Sequence, residues 1–157
     1  MDRPQRKTLD HTVPHWVFDE SPDPVFFITI CCAERGRNQL AIADTWLQIS
    51  EAVLHRQASG DWRCTLFLAM PDHLHAIVSC SGDKSLALAV RSWKRWTAQK
   101  AGISWQSGFF DHRLRSQASA AQKRNYILDN PVRAKLVATR ADWPFVLDQF
   151  AEEKAEG

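Results

Sequence analysis

Apolar positions along the chain change period several times, and each change marks an element. Val25-Phe-Phe-Ile-Thr-Ile-Cys-Cys32 is an unbroken β-branched and aromatic run, the composition of a buried strand. Residues 34–38 are polar and form a turn. Over residues 43–57 apolar side chains fall at Trp46, Leu47, Ile49, Val53 and Leu54, near helical spacing, with Asp44 or Thr45 placed to cap the helix. Ser59-Gly-Asp61 breaks it. Residues 62–70 and 73–80 are two more strands, and Pro71-Asp72 between them predicts a hairpin. Residues 85–100 are amphipathic, with Leu86, Val90, Trp93 and Thr97 on one stripe and Arg91, Lys94 and Arg95 off it. A loop over 102–108 precedes a short strand at 109–114. A last helix spans 117–129, limited by Pro131 because the residue before proline avoids the α region.

This order predicts an α+β, ferredoxin-like sandwich: a central antiparallel sheet, helices on one face, and a C-terminal helix that carries the chain's sole tyrosine. The other face of such a sheet is expected to stay open. Pro14, Pro22 and Pro24 predict an irregular arm over residues 1–24, followed by one domain over 25–146 and an acidic tail over 147–157.

Composition narrows the class. With 157 residues, 45% hydrophobic and 24% charged, the chain fits one globular domain with a core. Its longest apolar run falls far short of the roughly 20 residues that cross a bilayer, so no membrane span is expected. The polar N-terminus predicts no secretory signal. Cys31, Cys32, Cys64 and Cys80 form no C-x-x-C pair and sit in apolar segments, which predicts reduced thiols in the cytoplasm and no zinc site. Net charge is only +2, yet over residues 84–135 eleven basic residues stand against Asp111 and Asp129. A basic half on a nearly neutral protein is the footprint of a polyanion partner, or of solvated helix faces.

Three residues carry the candidate chemistry. His73 and His75 flank Leu74, so on a strand both imidazoles share one face at a spacing fixed by the pleat and suit a divalent cation. Tyr126 is a candidate nucleophile for phosphoryl transfer on DNA, provided that a metal, a base or a cation eases loss of its proton. Asn130 lies one helical turn after Tyr126 and shares its face. If Tyr126 faces the histidines, the Asn130 amide oxygen can reach the same metal.

Four segments resemble the HUH single-tyrosine DNA transposases, and more closely the REP-associated tyrosine transposases of bacteria. They are Ala69-Met-Pro-Asp-His-Leu-His-Ala-Ile-Val78, Ser92-Trp-Lys-Arg-Trp96, Trp105-Gln-Ser-Gly-Phe-Phe-Asp-His-Arg-Leu-Arg115 and Tyr126-Ile-Leu-Asp-Asn-Pro-Val-Arg-Ala-Lys-Leu-Val137. They follow the family's order and spacing over about residues 25–146. The resemblance implies that His73 and His75 hold Mg²⁺ or Mn²⁺ with help from Asn130. It further implies that Tyr126 attacks a phosphodiester of single-stranded DNA, leaving a 5′-phosphotyrosine and a free 3′-hydroxyl that can reverse the attack. The implied substrates are palindromic repeats folded as hairpins, with adjacent single-stranded bases. Asp72 stands where relatives commonly carry Asn, and the arm has no match in the family pattern.

Further DNA contacts are expected at Arg91, Lys94, Arg95, Arg113, Arg115, Lys123 and Arg124. His112 is expected near the metal or a phosphate, or as a hydrogen-bonded brace for the tyrosine helix, and Trp105 as a loop residue stacked on an unpaired base. Trp93 and Trp96 are three helix positions apart, so one or both should pack in the core. The chain is expected to act as a monomer or a homodimer. Two competing readings remain: a non-catalytic hairpin-binding protein or repressor of repeat elements, and a phosphoesterase acting on small nucleotides.

Overall fold

The computed structural model describes residues 23–149. The expected arm, but for its last two residues, and the tail beyond residue 149 lie outside the described residues. Five strands, β1 (Val25–Cys31), β2 (Arg63–Ala69), β3 (His73–Ser79), β4 (Phe110–Leu114) and β5 (Val146–Asp148), form one sheet in the order β4-β1-β3-β2-β5. All four pairings are antiparallel. Helices α1 (Ala43–Ala58), α2 (Leu86–Ala101) and α3 (Gln117–Arg133) complete the fold. The α+β class and the antiparallel sheet are as expected, and β1-α1-β2-β3-α2-β4 has the ferredoxin-like order.

Alternation along the strands builds two cores. Ile28, Ile30, Leu74, Ala76, Val78 and Phe67 point to one face and meet Ile49, Val53, Val90 and Trp93 of α1 and α2. Trp93 is 0% exposed, and its indole N–H donates to Ile49 O at 3.3 Å, so the ring is buried without an orphaned donor. Val25, Leu66, Leu68, Ile77 and Leu114 point to the opposite face and meet Ala120, Ala121 and Ile127 of α3. That second face is therefore not open: its row of aliphatic side chains needs cover, and α3 supplies it. All four cysteines are buried free thiols. Burial raises Cys64 to about 12 and Cys32 and Cys80 to about 11, so these three stay protonated and inert.

Three local expectations change. Helix α1 begins at Ala43 with Ile42 as its N-cap and no side-chain cap, which leaves Asp44 in the first turn, favourably placed against the helix dipole. Helix α3 does not stop before Pro131 but runs through it to Arg133. Pro131 is buried, and Arg133 Nη2 donates to Tyr126 O at 2.8 Å, bonding a carbonyl in the turn the proline disturbs. Leu147 and Asp148, expected in the tail, belong to β5, where Asp148 pairs across to Leu66. No helix among the described residues is long and apolar enough to cross a membrane.

Candidate active site

The β3 pleat separates neighbours by face. Leu74 is fully buried under α1 and α2, whereas His73 and His75 project toward α3. Their ring centroids lie 4.9 Å apart. The His75 ring is also stacked on Phe27, at 5.3 Å and 24°. Each imidazole is tied through Nδ1. His73 Nδ1 donates to Asp72 Oδ1 at 2.8 Å, since a carboxylate only accepts. His75 Nδ1 meets Thr29 Oγ1 at 2.8 Å, from the strand position directly opposite. These bonds orient both rings and leave both Nε2 atoms for a ligand, the usual support for a metal-binding histidine.

Helix α3 presents Lys123, Tyr126, Asn130 and Arg133 on one stripe. Tyr126 comes within 5.9 Å of the His75 ring and 6.1 Å of Phe27, centroid to centroid, and is 45% exposed. Two cations flank its ring: Arg133 Cζ at 4.2 Å and Lys123 Nζ at 5.3 Å from the centroid. The structure thus brings Tyr126 to the histidines across a sequence separation of about fifty residues. Asn130 sits one turn further on, and its side-chain nitrogen is buried with no hydrogen-bond partner. Amide oxygen and nitrogen exchange places by a simple flip, so this unsatisfied carboxamide has a coordinating atom to offer. Among the described residues no cluster of three or more His, Cys, Asp or Glu forms. Beside the two histidines, the Asn130 carboxamide is the unsatisfied polar group that the described residues place on the same stripe as Tyr126.

Charge keeps the pair ready to bind. Burial, with added repulsion from His73, Arg133 and Lys123, pushes His75 down to about 3, so the ring is neutral at ordinary pH with its lone pair available. Burial alone would raise Asp72. The hydrogen bonds from Arg35 Nε (3.0 Å), Gly36 N–H (2.7 Å) and His73 overcome it and hold the carboxyl below the usual carboxylate range. Asp72 is thus a fixed anion behind His73, something an Asn at this turn would not be.

Other expected contacts fall elsewhere. Arg124 forms a two-pronged ion pair with Asp148 (2.9 and 2.5 Å) at 12% side-chain exposure, bracing α3 to β5 rather than facing solvent. Trp105 is not a free loop side chain: it packs on Trp93 at 5.2 Å, donates to Thr97 at 3.0 Å and bridges to Cys32. Lys94 Nζ donates to Gln106 O and Gly108 O at 2.6 and 2.8 Å, pinning the loop before β4. Arg91 and Arg95 are exposed on α2, across the sheet from the site, while Arg113 and Arg115 are exposed at β4 and just after it. His112 is exposed and lies opposite Phe27, on the site's face. Thr29, Phe27 and Arg133 join the site without having been singled out in the sequence. Arg133, seven positions after Tyr126, lay on a legible helix stripe. Thr29 and Phe27 depend on the pairing of β1 with β3, which no local pattern reports.

No family model and no curated protein sequence matches the chain. Solved structures do. A REP-associated tyrosine transposase bound to a REP hairpin aligns with a TM-score of 0.71 at 25% identity, over 79% of this chain and 76% of that one. A protein of Deinococcus radiodurans R1 assigned to the transposases aligns with a TM-score of 0.52 over 68% of this chain and 90% of the other. At 13% identity that second likeness shows the fold alone.

Proposed function

We propose that this chain, whose fold is that of a REP-associated tyrosine transposase, is a metal-dependent enzyme that cuts and rejoins single-stranded DNA at hairpins through Tyr126. The observation that carries the reading is the convergence of His73, His75 and Tyr126, with centroids 4.9 and 5.9 Å apart about the central His75. Nothing in core packing requires two imidazoles with free Nε2 atoms beside a half-exposed phenol.

The donor set suits a divalent cation held by Nε2 of His73, Nε2 of His75 and the Asn130 carboxamide. With Nε2 so used, Nδ1 of each ring carries the proton and Asp72 and Thr29 accept. Imidazole nitrogen favours Mn²⁺ over Mg²⁺, which prefers an all-oxygen shell, so Mn²⁺ is expected to act at lower concentration. When bound, such a cation polarises the scissile phosphate and offsets its developing charge. The chain's own residues do the rest. The Tyr126 oxygen forms a bond to phosphorus and its proton passes to water, which reaches the exposed ring. The P–O3′ bond breaks with its electron pair on O3′, which takes up a proton. DNA is left joined to Tyr126 through its 5′-phosphate. Attack by a 3′-hydroxyl on that linkage reverses the step without an external energy source. Lys123 and Arg133, over the tyrosine ring, supply positive charge beside the phosphate.

The test is to incubate the protein with Mn²⁺ and a hairpin-bearing oligonucleotide from the flank of its gene and look for a covalent adduct on a denaturing gel. An adduct that Tyr126→Phe abolishes is expected. An adduct that survives this substitution would put the nucleophile at another residue and remove Tyr126 from the reaction. Salt-sensitive hairpin binding without any adduct would leave only a DNA-gripping role.

A further inference from the structure

Phe110 is 72% exposed, more than any other large hydrophobic residue of the described chain. It lies on the edge strand β4, while its neighbour Phe109 turns inward against the helical core. Register fixes where Phe110 points. It pairs with Thr29, and Thr29 pairs with His75, so Phe110, Thr29 and His75 form one row on one face of the sheet. His112, opposite Phe27, belongs to the adjoining row on that face. The phenyl group therefore stands two strand spacings, roughly 10 Å, from the His75 backbone. The backbone leading to it is anchored: Lys94 grips both Gln106 O and Gly108 O just before the strand, and Gly108 takes the left-handed turn (φ 74°) that leads into it.

We infer that Phe110 is a stacking platform for an unpaired base of the DNA strand whose phosphate lies at Tyr126, an inference that rests on the proposed function. A lone exposed aromatic is ordinary on a protein surface. This one stands on the same sheet face as the Phe27–His75–Tyr126 cluster, toward the sheet edge, and Lys123 sits over Phe27 on that face. An exposed aromatic ring on an anchored strand, beside cations, is how single strands are held without base readout, because every base offers a π-face. Bases within a duplex are stacked on both faces by their neighbours, whereas an unpaired base offers a free face to such a ring.

The test compares wild type, Phe110→Ala and Phe110→Trp on two probes: a closed DNA hairpin, and the same hairpin with an unpaired thymidine flank carrying a fluorescent adenine analogue. Phe110→Ala is expected to weaken binding of the flanked probe between about fivefold and a hundredfold. It should relieve quenching of the analogue and leave the closed hairpin unaffected, while Phe110→Trp retains both affinity and quenching. Equal losses on both probes, or no loss on the flanked one, overturn the inference. Adduct formation by the wild-type protein is read in parallel. An adduct together with unchanged Phe110→Ala binding removes the platform and leaves the cutting reaction standing, whereas no adduct from any probe counts against the function itself.

Discussion

At the scale of single residues, the site depends on groups that touch no substrate. Asp72 and Thr29 hold the two imidazoles by Nδ1, and removing such partners typically weakens metal binding ~10- to 100-fold. Asp72→Ala and Thr29→Val are each expected to raise the Mn²⁺ dissociation constant by that factor in calorimetric titration, with the fold intact. An unchanged constant would mean that the rings are held by packing alone. His75 and Asp72 set an acid limit. Unfolded, His75 protonates near 6.5; folded, only near 3, so the unfolded chain binds more protons between those values. Stability is free of this cost above about pH 6.5 and falls as pH drops through the window. Asp72, held below its ordinary 3.8, adds stabilisation that is complete above that value and lost below it. Urea midpoints are therefore expected to hold steady above neutrality and fall steadily toward pH 4. That slope should be shallower in His75→Asn. The histidine pair and the tyrosine were legible as residue types. Thr29 was not, because it acts on His75 from 46 positions away.

At the scale of elements, the strands and the buried stripe of α2 were legible because their periods match their burial, as Ala89, Val90, Trp93 and Thr97 show. The tyrosine helix was harder. A local rule ends it before Pro131, but burial of that proline carries it one turn further, and that turn includes Asn130. Trp105 misled for the converse reason: a loop in sequence is not a loop on the surface when its indole packs on Trp93. The end of α3 stores removable strain. Leu136 N–H reaches Pro131 O and Lys135 N–H reaches Val132 O, a Schellman closure with Lys135 in the left-handed position at φ 62°. Glycine meets that geometry without steric penalty, so Lys135→Gly is expected to stabilise the protein by about 1 kcal/mol, or roughly 2–4 °C in melting temperature. At the helix start Ser116 makes a capping box with Ser119, and Ser116→Ala is expected to cost about 1 kcal/mol. Both changes read out in thermal melts, and a sign opposite to either would show that the helix ends are held by tertiary packing instead.

At the scale of the whole molecule, the sheet divides the basic residues into two populations that the linear charge pattern had merged. Lys123 and Arg133 stand over the tyrosine, whereas Arg91 and Arg95 lie on α2, beyond the sheet and on the far side of the helical core. On the proposed function, a single strand with its phosphate at Tyr126 would run along the α3 face, separated from α2 by the roughly 10 Å layer that packing imposes. Counterion release then distinguishes the two groups without reference to catalysis. Removing a cation that touches one phosphate lowers the slope of log K against log salt by about 0.7 for single strands. Measured with an unpaired oligonucleotide, Lys123→Ala and Arg133→Ala are expected to reduce the slope by that amount each, and the Arg91→Ala/Arg95→Ala double variant to leave it unchanged. With a hairpin added to the same strand, any slope that the α2 variant then loses is attributable to the duplex stem, because the stem is the only part of the substrate that was added. A slope already reduced by the α2 variant on the unpaired strand would mean that the strand crosses to the helical face, and the path along α3 would have to be abandoned.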